Sequence, residues 1–189
     1  MNLPTKITIS RIVLIPIIIL LCCLNGITAY FYIPMTILFA IAVATDFVDG
    51  KMARKNNLVT DLGKFLDPIA DKMLTVAGIM IAIELGAFRL PYYALITVTI
   101  ILSREFIIGV FRQIAAAKGQ VLAADKLGKY KTATTFAGLT FLMLTPCAYV
   151  TLSDVFWWIG IILFSAATVL TAVSGLNYIL KNKDVLGSN

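Results

Sequence analysis

Four aspartates, Asp46, Asp49, Asp67 and Asp71, fall within 26 residues of a chain that is 60% hydrophobic. An ionised carboxylate in or beside hydrocarbon costs a few kcal/mol or more, so four together repel unless multivalent positive charge holds them. Asp46 and Asp49 are three apart, which on a helix puts them on one face about 4.5 Å apart along the axis. Asp67 and Asp71, four apart, repeat the arrangement at about 6 Å. Antiparallel helices joined by a short loop would bring the two edges face to face. Hard oxygen donors with no histidine or cysteine nearby favour Mg2+ or Mn2+ over zinc, and four carboxylates can bracket one or two such ions, two being expected. A divalent pair can bind a diphosphate, spread the charge of a displacement and activate an attacking hydroxyl.

The neighbours of the aspartates suit that chemistry. Gly50 removes a side chain where a bulky ligand approaches the helix, Ala53 is small for the same purpose, and Arg54 can donate to a phosphate at the rim. The alternative is a set of salt bridges from Asp46 and Asp49 to Lys51, Arg54 and Lys72. Four aspartates at these spacings on consecutive helices, punctuated by Gly50 and Gly63, argue against it. The chain has no histidine, which leaves carboxylate, Lys or Tyr for proton transfer. Cys22, Cys23 and Cys147 sit in or at the ends of apolar stretches and read as packing.

A second polar group is basic. Arg104 lies about 21 Å up the helix axis from Lys118, deep in an apolar stretch. Arg112 and Glu105 share a stripe seven residues apart, and Lys126, Lys129 and Lys131 open the next helix. One reading is a Glu105–Arg112 bridge with lysines reaching for the inner surface. The other, preferred for Arg104, Arg112, Lys129 and Lys131, is an anion pocket for a phosphorylated alcohol such as glycerol 3-phosphate, which an uncharged polyol would not need.

The elements that must position these groups are transmembrane helices. A mean hydropathy of +0.93 with 14% charged residues excludes a water-soluble globular domain. Apolar stretches near 9–24, 31–55, 64–86, 91–118, 127–150 and 154–181 are long enough to span hydrocarbon, predicting six transmembrane helices in an all-α, polytopic membrane fold. Residues 2–8 are expected to form a short interfacial lead-in, Ser10 to cap the first helix and Arg11 to snorkel. That helix is read as retained, because no small-x-small cleavage site closes it at Leu21–Asn25. With both termini cytoplasmic, fifteen of the sixteen Lys and Arg residues fall at or lead towards the inner ends, Arg89 alone lying outside. Tyr30, Phe31, Tyr32, Tyr92, Tyr93, Trp157 and Trp158 then read as an outer aromatic belt, and Gly109, Gly138, Gly160 and Gly175 as close-packing positions. No repeat or linker appears, so 1–189 is expected to be one domain. A divalent-cation transporter is the rival of another class, but the outer helix halves offer only Glu84 and Asp154, and no inverted repeat supplies a second gate.

The pattern Asp46-x-x-Asp49-Gly50-x-x-Ala53-Arg54, eight residues, Gly63-x-x-x-Asp67-x-x-x-Asp71 matches every fixed position of the signature of the CDP-alcohol phosphotransferase family, which the chain resembles. The segments Asn2-Leu3-Pro4…Thr8…Ser10-Arg11…Ile15-Pro16, Ser103-Arg104-Glu105-Phe106 and Leu127-Gly128-Lys129-Tyr130-Lys131-Thr132 resemble its bacterial phosphatidylglycerophosphate-forming branch. The resemblance implies a six-helix inner-membrane enzyme facing the cytoplasm. It would move a phosphatidyl group from CDP-diacylglycerol to glycerol 3-phosphate, with release of CMP. Sibling acceptors would be inositol phosphate, serine or phosphatidylglycerol. It also implies that Asp46, Asp49, Asp67 and Asp71 hold the divalent ions, that Asp71 doubles as general base, and that Gly50, Ala53, Arg54 and Gly63 border the cytidine diphosphate. A homodimer in the lipid bilayer is expected, with no nucleic-acid partner.

Overall fold

The computed structural model describes residues 3–25, 31–55, 61–118, 126–147 and 150–182. They form six helices: α1 (Leu3–Asn25), α2 (Tyr32–Lys55), α3 (Asp61–Glu84), α4 (Tyr93–Ala117), α5 (Lys126–Leu144) and α6 (Val150–Lys181). A short 3-10 turn, Thr145–Cys147, follows α5. No strand occurs among the described residues. Among the described residues three helices hold segments long and apolar enough to cross a membrane, namely Thr5–Leu24, Tyr93–Ala116 and Leu152–Lys181, while Tyr32–Thr45 is apolar but shorter. In α3 the apolar run is interrupted by Asp67, Asp71 and Lys72. The large apolar side chains left exposed, among them Leu95, Ile96, Val155, Ile162, Val169 and Leu176, suit contact with lipid, so the chain is a helical membrane protein.

The first helix departs from the sequence expectation. It begins at Leu3, so from there the expected lead-in is part of α1 and no separate element. Ser10 is no cap: its Oγ donates to the Ile7 carbonyl at 2.7 Å inside the helix. Thr5, Thr8 and Arg11 are buried at three-residue spacing and run on into Ile15, Ile18 and Cys22, one continuous inward face. Arg11, expected to snorkel, is 1% exposed.

The chain packs as two compact units, Met1–Ala87 with Leu139–Trp158, and Phe88–Gly138 with Ile159–Asn189. In the first, α1 packs on α2 and α3. Gly78 lets Phe39 close on α3, since a Cβ there would stand 2.7 Å from Phe39 Cζ. Trp157, expected in the outer belt, is buried, and its Nε1 donates to the Ala87 carbonyl at 3.0 Å. Tyr92 and Trp158 remain exposed.

In the second unit α4 and α6 run in the same direction, because their contacts advance together. Tyr93 meets Ser165 (2.7 Å between hydroxyl oxygens), Arg104 meets Ser174, and Arg112 meets Tyr178. Gly138 keeps its expected packing role: a Cβ there would lie 2.9 Å from the Phe164 nitrogen and 3.2 Å from the Gly160 carbonyl oxygen. Hydroxyls inside the apolar helices are mostly satisfied by carbonyls of the preceding turn, as in Thr97, Thr135, Thr168 and Thr171.

Candidate functional site

In the first unit Gly63, Asp67 and Asp71 follow one another at four-residue steps along α3, which keeps them on one stripe. Gly63 is buried, Asp67 exposed and Asp71 half-buried, with the Asp71 Oδ1 atom shielded from solvent. Thr8 of α1 donates its hydroxyl to Asp67 Oδ1 at 2.6 Å, a short, charge-assisted bond that fixes the carboxylate. The Asp71 carbonyl accepts from Thr75 Oγ1 at 3.0 Å. Pro68 stands inside α3 between the two carboxylates and has no N–H for the carbonyl four residues earlier. An apolar groove of about 630 Å³ runs between α1 and α3, with Ile15, Ile19, Val76 and Met80 in its walls, Lys72 towards one end and Glu84 towards the other.

Asp46, Asp49, Gly50, Ala53 and Arg54 lie on the last turns of α2. Their side chains, and with them the expected meeting of the two acidic edges, fall outside the described residues, as does the side chain of Lys129. Among the described residues no three His, Cys, Asp or Glu side chains gather as a metal-ligating group.

In the second unit the cations are organised. Glu105 Oε1 accepts from Arg104 Nη1 at 3.3 Å and pairs with the Lys131 ammonium. Arg104 Nη2 also donates to Ser174 Oγ at 3.4 Å. Arg112 does not bridge to Glu105 as one reading of the sequence had it. Its Nε donates to the Tyr178 hydroxyl at 3.2 Å, and its guanidinium carbon lies 5.4 Å from the centre of the same ring. Tyr178 is seated in a small core with Ile108, Phe111 and Ala115. Arg104, Arg112 and Lys131 are therefore each held by named partners within one unit.

Several of those partners are absent from the sequence expectations. Thr8 was visible only as part of a family-like opening, although a hydroxyl three residues before an arginine in an apolar helix signals a polar helix face. Ser174 and Tyr178 carry no charge and sit in a long apolar helix, so nothing in their types drew attention, while Gly175 was expected only as a close-packing position.

A helical membrane protein with a carboxylate stripe in one unit and an ordered cation cluster in the other is suited to chemistry on charged, phosphate-bearing substrates. The family can be stated: the profile of the CDP-alcohol phosphatidyltransferase family matches residues 1–176, and the chain belongs to that family. It is 37% identical over 199 residues, covering 98% of this chain and 97% of the relative, to a Bacillus subtilis (strain 168) protein named CDP-diacylglycerol--glycerol-3-phosphate 3-phosphatidyltransferase. Proteins of the same name from Shigella flexneri serotype 5b and Escherichia coli K12 are each 32% identical over 187 residues, covering 94% of this chain and 93% of the relative.

Proposed function

We propose that this protein transfers the phosphatidyl group of CDP-diacylglycerol to glycerol 3-phosphate, giving phosphatidylglycerophosphate and CMP. The observation that carries this reading is the near end-to-end likeness to relatives named for that reaction.

The donor chemistry fits a hard divalent cation. Asp67 and Asp71 offer carboxylate oxygens on one stripe of α3, and Thr8 orients the first of them. In this reading Asp46, Asp49, Asp67 and Asp71 hold two ions, Mg2+ or Mn2+. Bound there, the ions supply Lewis-acid stabilisation of phosphate charge. Asp71 takes the proton of the acceptor hydroxyl as its oxygen attacks the phosphorus that bears diacylglycerol. The new P–O bond forms as the bond to CMP breaks, and CMP leaves with the electron pair. Gly50, Ala53, Arg54 and Gly63 border the cytidine diphosphate. One lipid tail lies along the α1–α3 groove, whose lining includes Lys72, the residue after Asp71. Arg104, Arg112, Lys129 and Lys131 hold the acceptor's phosphate, and so set acceptor choice while the aspartates set the reaction. The same reading has all six helices crossing the inner membrane as one domain, both termini and the site facing the cytoplasm, and the protein working as a homodimer.

The test is CMP release by purified protein in detergent with CDP-diacylglycerol, with and without glycerol 3-phosphate, Mg2+ and EDTA. Release that needs both metal and glycerol 3-phosphate is expected. Release with another alcohol alone would overturn the acceptor, and no release with any alcohol would overturn the reaction.

A further inference from the structure

We propose that the Ser174-Gly175-Tyr178 face of α6 is a positioning element that sets the two guanidiniums of α4 for the acceptor's phosphate, with Gly175 its central residue. This rests on the reading of Arg104 and Arg112 as acceptor ligands and deepens it.

The contact at Gly175 is unlike that at Gly138 of the same unit. A Cβ at Gly138 would meet backbone, whereas a Cβ at Gly175 would stand 2.8 Å from Arg104 Cγ, 3.7 Å from its Nε and 3.8 Å from its Cδ. Cγ lies near the root of the side chain, so Arg104 cannot relieve the overlap by swinging its tip. It must change its path across α6. The bare backbone at Gly175 is therefore the track along which Arg104 lies.

The flanking residues fix the ends of that track. Ser174 Oγ gives its proton to the Thr171 carbonyl at 3.2 Å, which leaves its lone pairs for Arg104 Nη2. Four residues on, and so on the same face, Tyr178 presents its hydroxyl to Arg112 Nε and its ring to the guanidinium. An arginine fork reads a phosphate only when its plane is set in advance, and here one helix face sets two of them.

The charge balance suits the ligand. Arg104, Arg112, Lys129 and Lys131 give four positive charges and Glu105 removes one, leaving three against a phosphate monoester that carries close to two negative charges near neutral pH. Glu105 thus holds Arg104 and Lys131 together without neutralising the cluster.

The experiment compares wild type, Gly175→Ala, Ser174→Ala, Tyr178→Phe and, as a packing control, Gly138→Ala. Each is purified in detergent and assayed for CMP release with both substrates varied. Gly175→Ala is expected to raise KM for glycerol 3-phosphate about tenfold, the loss of one well-made charged contact. Its kcat and its KM for CDP-diacylglycerol stay within about twofold. Tyr178→Phe and Ser174→Ala move the same constant in the same direction by less, and Gly138→Ala lowers thermal stability without moving it. In an Arg104→Ala background, Gly175→Ala adds nothing, because it acts through that side chain. The proposal fails if folded Gly175→Ala leaves KM for glycerol 3-phosphate unchanged or adds its full effect in that background. Should Gly175→Ala not fold, unchanged constants in both Ser174→Ala and Tyr178→Phe overturn it equally. A wild-type protein whose CMP release ignores glycerol 3-phosphate overturns the functional reading itself, and that is seen before any variant is made.

Discussion

The acidic stripe of α3 and the basic cluster of α4, α5 and α6 are both polar groups in an apolar chain, yet they are built in opposite ways. On α3 the two carboxylates come from one helix at four-residue spacing, with a hydroxyl from α1 on the first. In the cluster the cations come from two helices and each is steadied by a side chain on another element. The difference follows from charge and length. Aspartate is short, so its position is set almost wholly by its own helix turn. Arginine and lysine have long, flexible stems, so their heads are placed only when something at the far end catches them.

That contrast can be broken or sharpened. The largest effect is expected from Asp71→Asn, which keeps shape but removes the proposed base: CMP release should fall about a thousandfold in a fixed-time assay, while the protein still folds. A fall of less than about tenfold would move the base elsewhere. Next is Glu105→Gln, which leaves buried Lys131 beside Arg104 without the carboxylate between them. Stability should drop by about 2 kcal/mol, read as a lower Tm in detergent. An unchanged Tm would mean that the cluster is held by its other contacts. Thr8→Val, nearly isosteric, deletes the hydroxyl that donates to Asp67. The Mg2+ concentration for half-maximal activity should rise about threefold to tenfold, with KM for glycerol 3-phosphate unmoved. A shift in the acceptor constant instead would erase the division of labour between the two regions. The smallest effect belongs to Trp157→Phe, which loses one hydrogen bond to Ala87. About 1 kcal/mol of stability should go, with every kinetic constant unchanged.

The same contrast explains what the sequence revealed. Helix positions were legible for all six elements because long apolar runs between charged breaks have few alternative readings. The α3 stripe was legible because spacing alone places short side chains: Asp67 and Asp71 share a face wherever α3 goes. Partner choice in the cluster was not. Seven-residue spacing made Arg112 a natural mate for Glu105, but Glu105 pairs with its sequence neighbour Arg104 and with Lys131, and Arg112 goes to a tyrosine on α6. Long side chains select among tertiary partners, and a sequence does not display which helix lies alongside. Arg11 failed for a related reason. An arginine near the start of an apolar helix reads as an anchor at the surface, while the burial of Thr5 and Thr8 on the same face turns that face inward. Trp157 was read by its type as interfacial, and its indole N–H is taken by a carbonyl inside the protein.

Pro68 has a mechanical consequence. A proline inside a helix forgoes one rung of the backbone ladder, and here the missing rung is the one from residue 68 back to the Lys64 carbonyl, in the turn that carries Asp67. The softened turn thus lies just ahead of the carboxylate stripe: Asp67 stands at its end, tethered to α1 through Thr8, and Asp71 lies one turn further on, continuous with the rest of α3. Such a turn lets the entry to α3 flex without disturbing the ladder beyond Asp71, a compliance useful to any ligand set that must grip a charged group and then let its product go.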